Sequence, residues 1–214
     1  MDINLKLCEG TRLDEKRAGQ ICRIYAENFP PLERVPQSYL LESVASGAAF
    51  MLTLEEGDVV LGFAFLQWLT DQKMLFLEYL AVDHALQGGG YGGLILQRII
   101  EEAKARPGIL GVILEIESPE DGVKTEKALR QRRVMFYQRY AAELIEDHGA
   151  YCMPDITGLG SMPMRLMWIP TQPGASGYPQ VNFRNWLIRF FQAAYERGED
   201  DPFLQQILLK LPAG

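Results

Sequence analysis

Residues Leu75–Gly93 read LFLEYLAVDHALQGGGYGG, an apolar stretch that runs into five glycines within six positions. Aliphatic and aromatic side chains interrupted only by Glu78 predict one strand over Met74–Val82. Beyond the glycines, Leu96, Ile99, Ile100 and Ala103 recur at helical spacing, so the glycines join a strand to a helix. Such a junction surrounds an anion with backbone amides and the positive end of a helix dipole, which makes a phosphate group the expected ligand.

Three phosphate loops compete for this stretch. Gly88, Gly90 and Gly93 fit the dinucleotide spacing GxGxxG, and Glu115 and Glu117 end the next strand about where a ribose contact would lie. The five-residue spacer DHALQ, however, separates Val82 from the first glycine, and too few strand–helix units come after it for a doubly wound sheet. A nucleotide P-loop needs Lys and Ser/Thr after the last glycine, where this chain has Leu94 and Ile95. The third reading is an acyl-CoA pyrophosphate loop, carried by Gln87xxGly90xGly92 opening a helix.

With the strand LEYLAV before it, the strand VILEIE after it and the later helix RRVMFYQRYAAELI, this pattern resembles the GNAT superfamily of acyl-CoA-dependent N-acyltransferases. Gln87, Gly90 and Gly92 match its motif A, and FYQR at 136–139 is similar to its motif B. The resemblance spans residues 1–169 and implies an α+β fold with a mixed, mostly antiparallel central sheet flanked by helices. One departure comes after motif B: Ala141 and Ala142 stand where the family often has Gly and an aromatic, so the exit from that helix is expected to be shaped differently.

The rest of the chain agrees with a sheet built largely from hairpins. INLKL alternates as a strand; Ala18, Ile21, Cys22, Tyr25 and Phe29 then mark a helix stopped by Pro30 and Pro31. PQSYLLESVASG is a short helix ended by Gly47, and strands 48–54 and 59–68 flank the turn EEGD. A helix is expected over Leu129–Tyr140, after the polar loop SPEDGVKTEK, then strands near 142–145 and 164–169. Residues 170–181, PTQPGASGYPQV, read as a linker, and 182–214 as a C-terminal helical extension with Phe183, Trp186, Leu187, Phe190 and Ala194 on one face. That extension either docks on its own domain or builds a homodimer.

With 28 acidic against 21 basic residues, the net charge of −7 disfavours nucleic acid and anionic membrane as partners and favours a cationic one. No apolar run approaches a membrane span and the N-terminus lacks a signal-peptide core, so a cytoplasmic location is expected. Cys8, Cys22 and Cys152 form no disulfide framework, and His84 and His148 belong to no metal-ligand spacing, so no metal is expected. His148 and Cys152 read as an incidental pair rather than a nucleophile and its base.

The resemblance implies acetyl-CoA as co-substrate and direct transfer of acetyl to the primary amine of a small molecule or peptide in a ternary complex. Leu80, Ala81, Val82, Gln87, Gly88, Gly89, Gly90, Tyr91, Gly92 and Gly93 are then the expected coenzyme contacts. An amine with a pKa near ~10 must lose a proton before attack, and Glu78, in an apolar strand, is the candidate base; the alternative is a structural or substrate-orienting carboxylate. Tyr137, the tyrosine of FYQR, is the candidate acid for the departing thiolate, or else a core aromatic. Glu33, Trp68, Glu115 and Glu117 are the candidates for the acceptor amine, against the simpler reading of solvated charge and sheet packing. A catalytically silent acyl-CoA-binding module of the same fold is the competing function.

Overall fold

The computed structural model describes residues 3–212, so the outermost residues of the expected domain and extension, 1–2 and 213–214, lie outside the described residues. Two compact units are present. The first holds the chain up to Trp68, Leu77–Glu102 and Ile156–Leu159; the second holds Leu69–Phe76, Ala103–Asp155 and the chain from Gly160.

In the first unit, β1 (Ile3–Glu9) pairs antiparallel with β2 (Phe50–Glu56), which pairs antiparallel with β3 (Val59–Leu69) through the turn at Gly57. Two helices lie between β1 and β2. The Asp14 carboxylate accepts from the Arg17 amide at 2.9 Å to start α1 (Glu15–Asn28), and Gly47 at φ 78° ends α2 (Gln37–Ser46). Ile21, Ile24, Tyr25, Leu40 and Val44 of these helices are buried with Met51, Phe63, Phe65, Tyr79 and Ala81 of the strands in one core. Each large apolar side chain among them contributes ~1.5–3 kcal/mol on burial.

A buried carboxylate fastens α1 to the sheet edge. Glu55 is 1% exposed and accepts from Arg17 of α1 at 3.1 Å, from Lys6 of β1 at 2.5 Å and from Thr53 at 2.9 Å. Desolvation raises its pKa, but these donors outweigh it and hold the carboxyl below its ordinary value. The helix whose far end meets the glycine loop is thereby anchored at its start.

β4 (Met74–Val82) begins in the second unit and continues into the first. The sheet has eight strands and is mostly antiparallel. After β4 come α3 (Tyr91–Ala105), β5 (Gly111–Glu117), α4 (Lys124–Gln138), β6 (Glu143–Leu144), β7 (Cys152–Met153) and β8 (Met162–Pro170). The order is β1-β2-β3-β4-β5-β8-β6, with β7 paired on β8. In the second unit β5 and β8 are antiparallel from Gly111↔Pro170 to Glu117↔Met164.

Several local expectations shift. α4 starts at Lys124, five positions before the first apolar residue that marked it, because the Glu126 carboxylate accepts from the Val123 amide at 3.1 Å and the run KTEK hides the helical pattern in charge. The two-residue β7 escapes detection because so short a strand has no periodicity. At the exit of α4, Ala141 adopts φ 62°, a left-handed conformation that glycine takes more readily.

Segment 170–181 is clasped within the second unit. Trp168 donates to the Ala175 carbonyl at 2.8 Å, and the Gln180 side chain exchanges hydrogen bonds of 3.0 Å with the Glu146 backbone in both directions. It leads to α5 (Phe183–Tyr195) and α6 (Pro202–Lys210). Trp186, Leu187, Phe190 and Phe191 form the buried face of α5, and Phe190 meets Phe76 edge to face at 5.2 Å.

Candidate active site

The glycine loop is built onto the end of α1. Asp83 caps a short 3-10 turn at His84–Leu86, accepting from the Ala85 amide at 2.9 Å. Its second oxygen meets Arg23 of α1 at 2.5 Å, which, with the Ala85 amide, holds the Asp83 carboxyl below its ordinary range. The His84 Nε2 lies 3.0 Å from the Glu27 carbonyl. Gln87 Nε2 donates to Asn28 Oδ1 at 2.9 Å, and Asn28 Nδ2 donates to the Val82 carbonyl at 3.3 Å. The spacer DHALQ is therefore held at three of its five residues by the last two turns of α1.

The next three residues are glycines, two of them in a backbone conformation that favours glycine. Gly88 and Gly90 sit at φ 85° and 86°, where L side chains are strained, although a Cβ at either would meet nothing within 4 Å. Gly89 has ordinary φ, but its Cβ would fall 2.9 Å from the Tyr91 ring. The Gly90 carbonyl accepts from Gly93 and Leu94 at 2.9 and 3.3 Å, opening α3. The amides of Tyr91 and Gly92 precede any helical acceptor, so this N-terminus has the electrostatic character of an anion site. Gly62 of β3 makes room beside it: a Cβ there would stand 2.7 Å from the Ala81 carbonyl and 3.1 Å from Ile95 of α3.

On β4, both oxygens of Glu78 lie 3.3 Å from Gln67 Nε2, which also lies 3.3 Å from the Tyr39 hydroxyl of α2. Tyr79 donates to the Glu33 carbonyl at 2.8 Å, which ties the loop after α1 to β4, and Tyr25 donates to the Val35 carbonyl at 3.2 Å, which ties the same loop back to α1. Glu33 is buried there. Burial pushes the Tyr25 phenol up to about 12 and the Tyr79 phenol further, with the Glu78 charge adding to both. Trp68 stacks on Phe50 with ring centroids 5.0 Å apart.

The second unit holds the other expected residues. Tyr137 lies on the buried face of α4 with Val134, and burial pushes its phenol up to about 12 despite the opposing charge of Arg133. Glu117, at the end of β5, is ion-paired with Arg133 and, at 3.4 Å, with Arg130. Its charge is thus already matched within the protein. Glu115 differs: Tyr195 of α5 donates to its two oxygens at 2.7 and 2.6 Å, and Tyr151 donates to the first of them. Burial raises the Glu115 carboxyl above its ordinary value, and the two hydroxyls oppose that rise. Asp147, ion-paired with Arg165 at 3.2 Å, accepts the Tyr151 amide at 3.2 Å and so fixes the tyrosine. His148, at φ 55°, and Cys152 of β7 share no helical turn; burial raises the thiol. Among the described residues, no three His, Cys, Asp or Glu side chains gather for a metal ion, and no helix is long and apolar enough to cross a membrane.

Residues 18–124 match the model of the acetyltransferase (GNAT) family. The chain belongs to that family. No curated protein matches the sequence. Among solved structures, a GNAT-family protein from Bacteroides thetaiotaomicron described as an acetyltransferase is 23% identical over 92% of this chain and 99% of its own, with a TM-score of 0.67. The ribosomal-protein-S18-alanine N-acetyltransferase from Escherichia coli is 16% identical over 80% and 95%, at 0.56. Arabidopsis thaliana NAA60 in complex with a bisubstrate analogue is 10% identical over 80% and 100%, at 0.59. These likenesses share the GNAT fold, and acetyl-CoA-dependent transfer is the general chemistry of the family.

Within that GNAT framework, sequence reasoning missed the residues that act at long range. Asn28, Arg23, Gln67, Tyr151 and Tyr195 carry no local signal, since each has an ordinary helix, strand or loop setting. Only Gly62 carried a readable signal, as an isolated glycine inside a strand.

Proposed function

We propose that the protein is an acetyl-CoA-dependent N-acetyltransferase acting on the primary amine of a small molecule or peptide, by direct attack in a ternary complex. The observation that carries this is the glycine loop, clamped by Asn28 and Arg23 and opening α3. Its amides, from Gly88 to Gly93, would hold the coenzyme pyrophosphate, and the Leu80–Val82 backbone its pantetheine arm. Glu78, oriented by Gln67, would take the proton of the ammonium, directly or through a water. Tyr137 stays protonated at neutral pH and would supply a proton to the thiolate. Glu33, Trp68 and Glu115 would contribute to acceptor binding; Glu117 serves that role less well while paired with two arginines. On this reading residues 1–169 form the acyltransferase portion, 170–181 a connection and 182–214 an extension.

The test is release of free CoA thiol from acetyl-CoA across a panel of polyamines, aminoglycosides, amino acids and peptides. Turnover with at least one amine supports the reading. Coenzyme binding without any turnover would instead favour a silent acyl-CoA-binding module, and preferential thermal protection by NAD over CoA a dinucleotide site.

A further inference from the structure

We infer that the C-terminal helix α5 contributes a positioning residue to amine recognition: Tyr195, with Tyr151, holds Glu115 as an anionic cradle for the acceptor's ammonium group. The inference rests on the N-acetyltransferase reading and deepens it by assigning a cationic acceptor and a role for the extension. Three observations within the second unit carry it. First, Glu115 is half-buried in the middle of β5, yet among the described residues its hydrogen bonds come from two neutral hydroxyls and its carboxylate joins none of the ion pairs. By contrast Glu117, two residues on, is met by two arginines, and the buried Asp147 by Arg165. A desolvated carboxylate with neutral donors alone is poorly compensated as a structural element and complementary to an incoming cation.

Second, both tyrosines are locked. The Tyr195 ring contacts Phe190 and Phe191 at 6.0 and 5.4 Å, Tyr151 contacts Phe191 at 6.1 Å, and the Asp147–Arg165 pair holds the Tyr151 backbone. Third, Tyr195 is the last residue of α5, followed by Glu196 in the left-handed conformation, so the helix ends where its hydroxyl meets the carboxylate. Both hydroxyls spend their protons on Glu115 and orient its oxygens, leaving its charge to the acceptor.

The test compares the full-length wild type with Tyr195→Phe, Tyr151→Phe and Glu115→Gln, using 1,5-diaminopentane as cationic acceptor and aniline as an acceptor neutral at pH 7. Tyr195→Phe is expected to raise KM for the diamine about tenfold while KM for acetyl-CoA stays near wild type and Tm falls only by what the loss of one buried hydroxyl costs. Glu115→Gln should abolish the preference for diamine over aniline. Wild-type acceptor kinetics in both variants, or a loss confined to kcat that tracks Tm, would overturn the proposal. If the wild type acetylates neither amine, the enzyme reading fails separately; calorimetric binding of the diamine, present in wild type and lost in Glu115→Gln, would still support the cradle. Equal binding by both, or binding by neither, would sink it.

Discussion

Gln87 and Asn28, 59 positions apart, share a 2.9 Å hydrogen bond that joins the first residue of the Gln87xxGly90xGly92 motif to the end of α1. The motif glutamine therefore has a structural task, because its amide nitrogen is spent on the protein's own asparagine. Arg23–Asp83 and His84–Glu27 repeat the attachment. A loop whose amides must converge on an anion gains affinity when it is ordered before the ligand arrives.

Asn28→Ala is expected to weaken acetyl-CoA binding about tenfold in calorimetry, at a stability cost of ~1 kcal/mol. Because the two residues share one bond, adding Gln87→Ala to it should cost less than the sum of the single changes. Full additivity would show that the clamp plays no part.

Gly90→Ala forces an L residue to φ 86° and is expected to lose ~1–2 kcal/mol, read as a lower urea midpoint, together with coenzyme affinity. Since a Cβ there meets nothing within 4 Å, the cost is conformational, and Gly90→Asn should recover part of it.

At the exit of α4 the opposite substitution helps. Ala141 is exposed and holds φ 62°, so Ala141→Gly relieves strain that exceeds the entropy a glycine adds to the unfolded chain. A gain of ~0.5–1 kcal/mol is expected, seen as a rise of about 2–4 °C in Tm per kcal/mol. An unchanged or lower Tm would contradict it.

Glu115 gives stability a definite pH dependence. Its folded pKa is raised, so the folded state holds the proton more tightly than the unfolded chain does. Its contribution is fully present below the unfolded carboxyl value and declines as pH rises through the folded one. The stability of Glu115→Gln relative to wild type should therefore improve from acid to neutral pH, measured by urea unfolding at pH 4 and 7.

Glu78→Gln should lower kcat at least tenfold and alter the pH–rate profile, while acetyl-CoA affinity stays nearly constant. Equal kcat and an unchanged profile would move the base to another residue.

Neighbouring residues were enough to set the elements. Met74–Val82 is a strand as its apolar run predicts, Gly47 ends α2 and Gly57 turns the β2–β3 hairpin, because period, caps and left-handed positions are local properties of the chain. The spacer DHALQ, the missing lysine and the later FYQR carried the expectation of an acyl-CoA phosphate loop, more than the density of glycine did. The support of that loop, and the acids already spent on internal partners, were legible only once the chain was folded. Asn28 meets Gln87, Arg130 and Arg133 neutralise Glu117, and Tyr195 reaches Glu115 across 80 positions. Partners so distant leave no periodic trace in the chain, since side-chain hydrogen bonds and ion pairs depend on where the folded backbone delivers two groups rather than on their spacing in sequence.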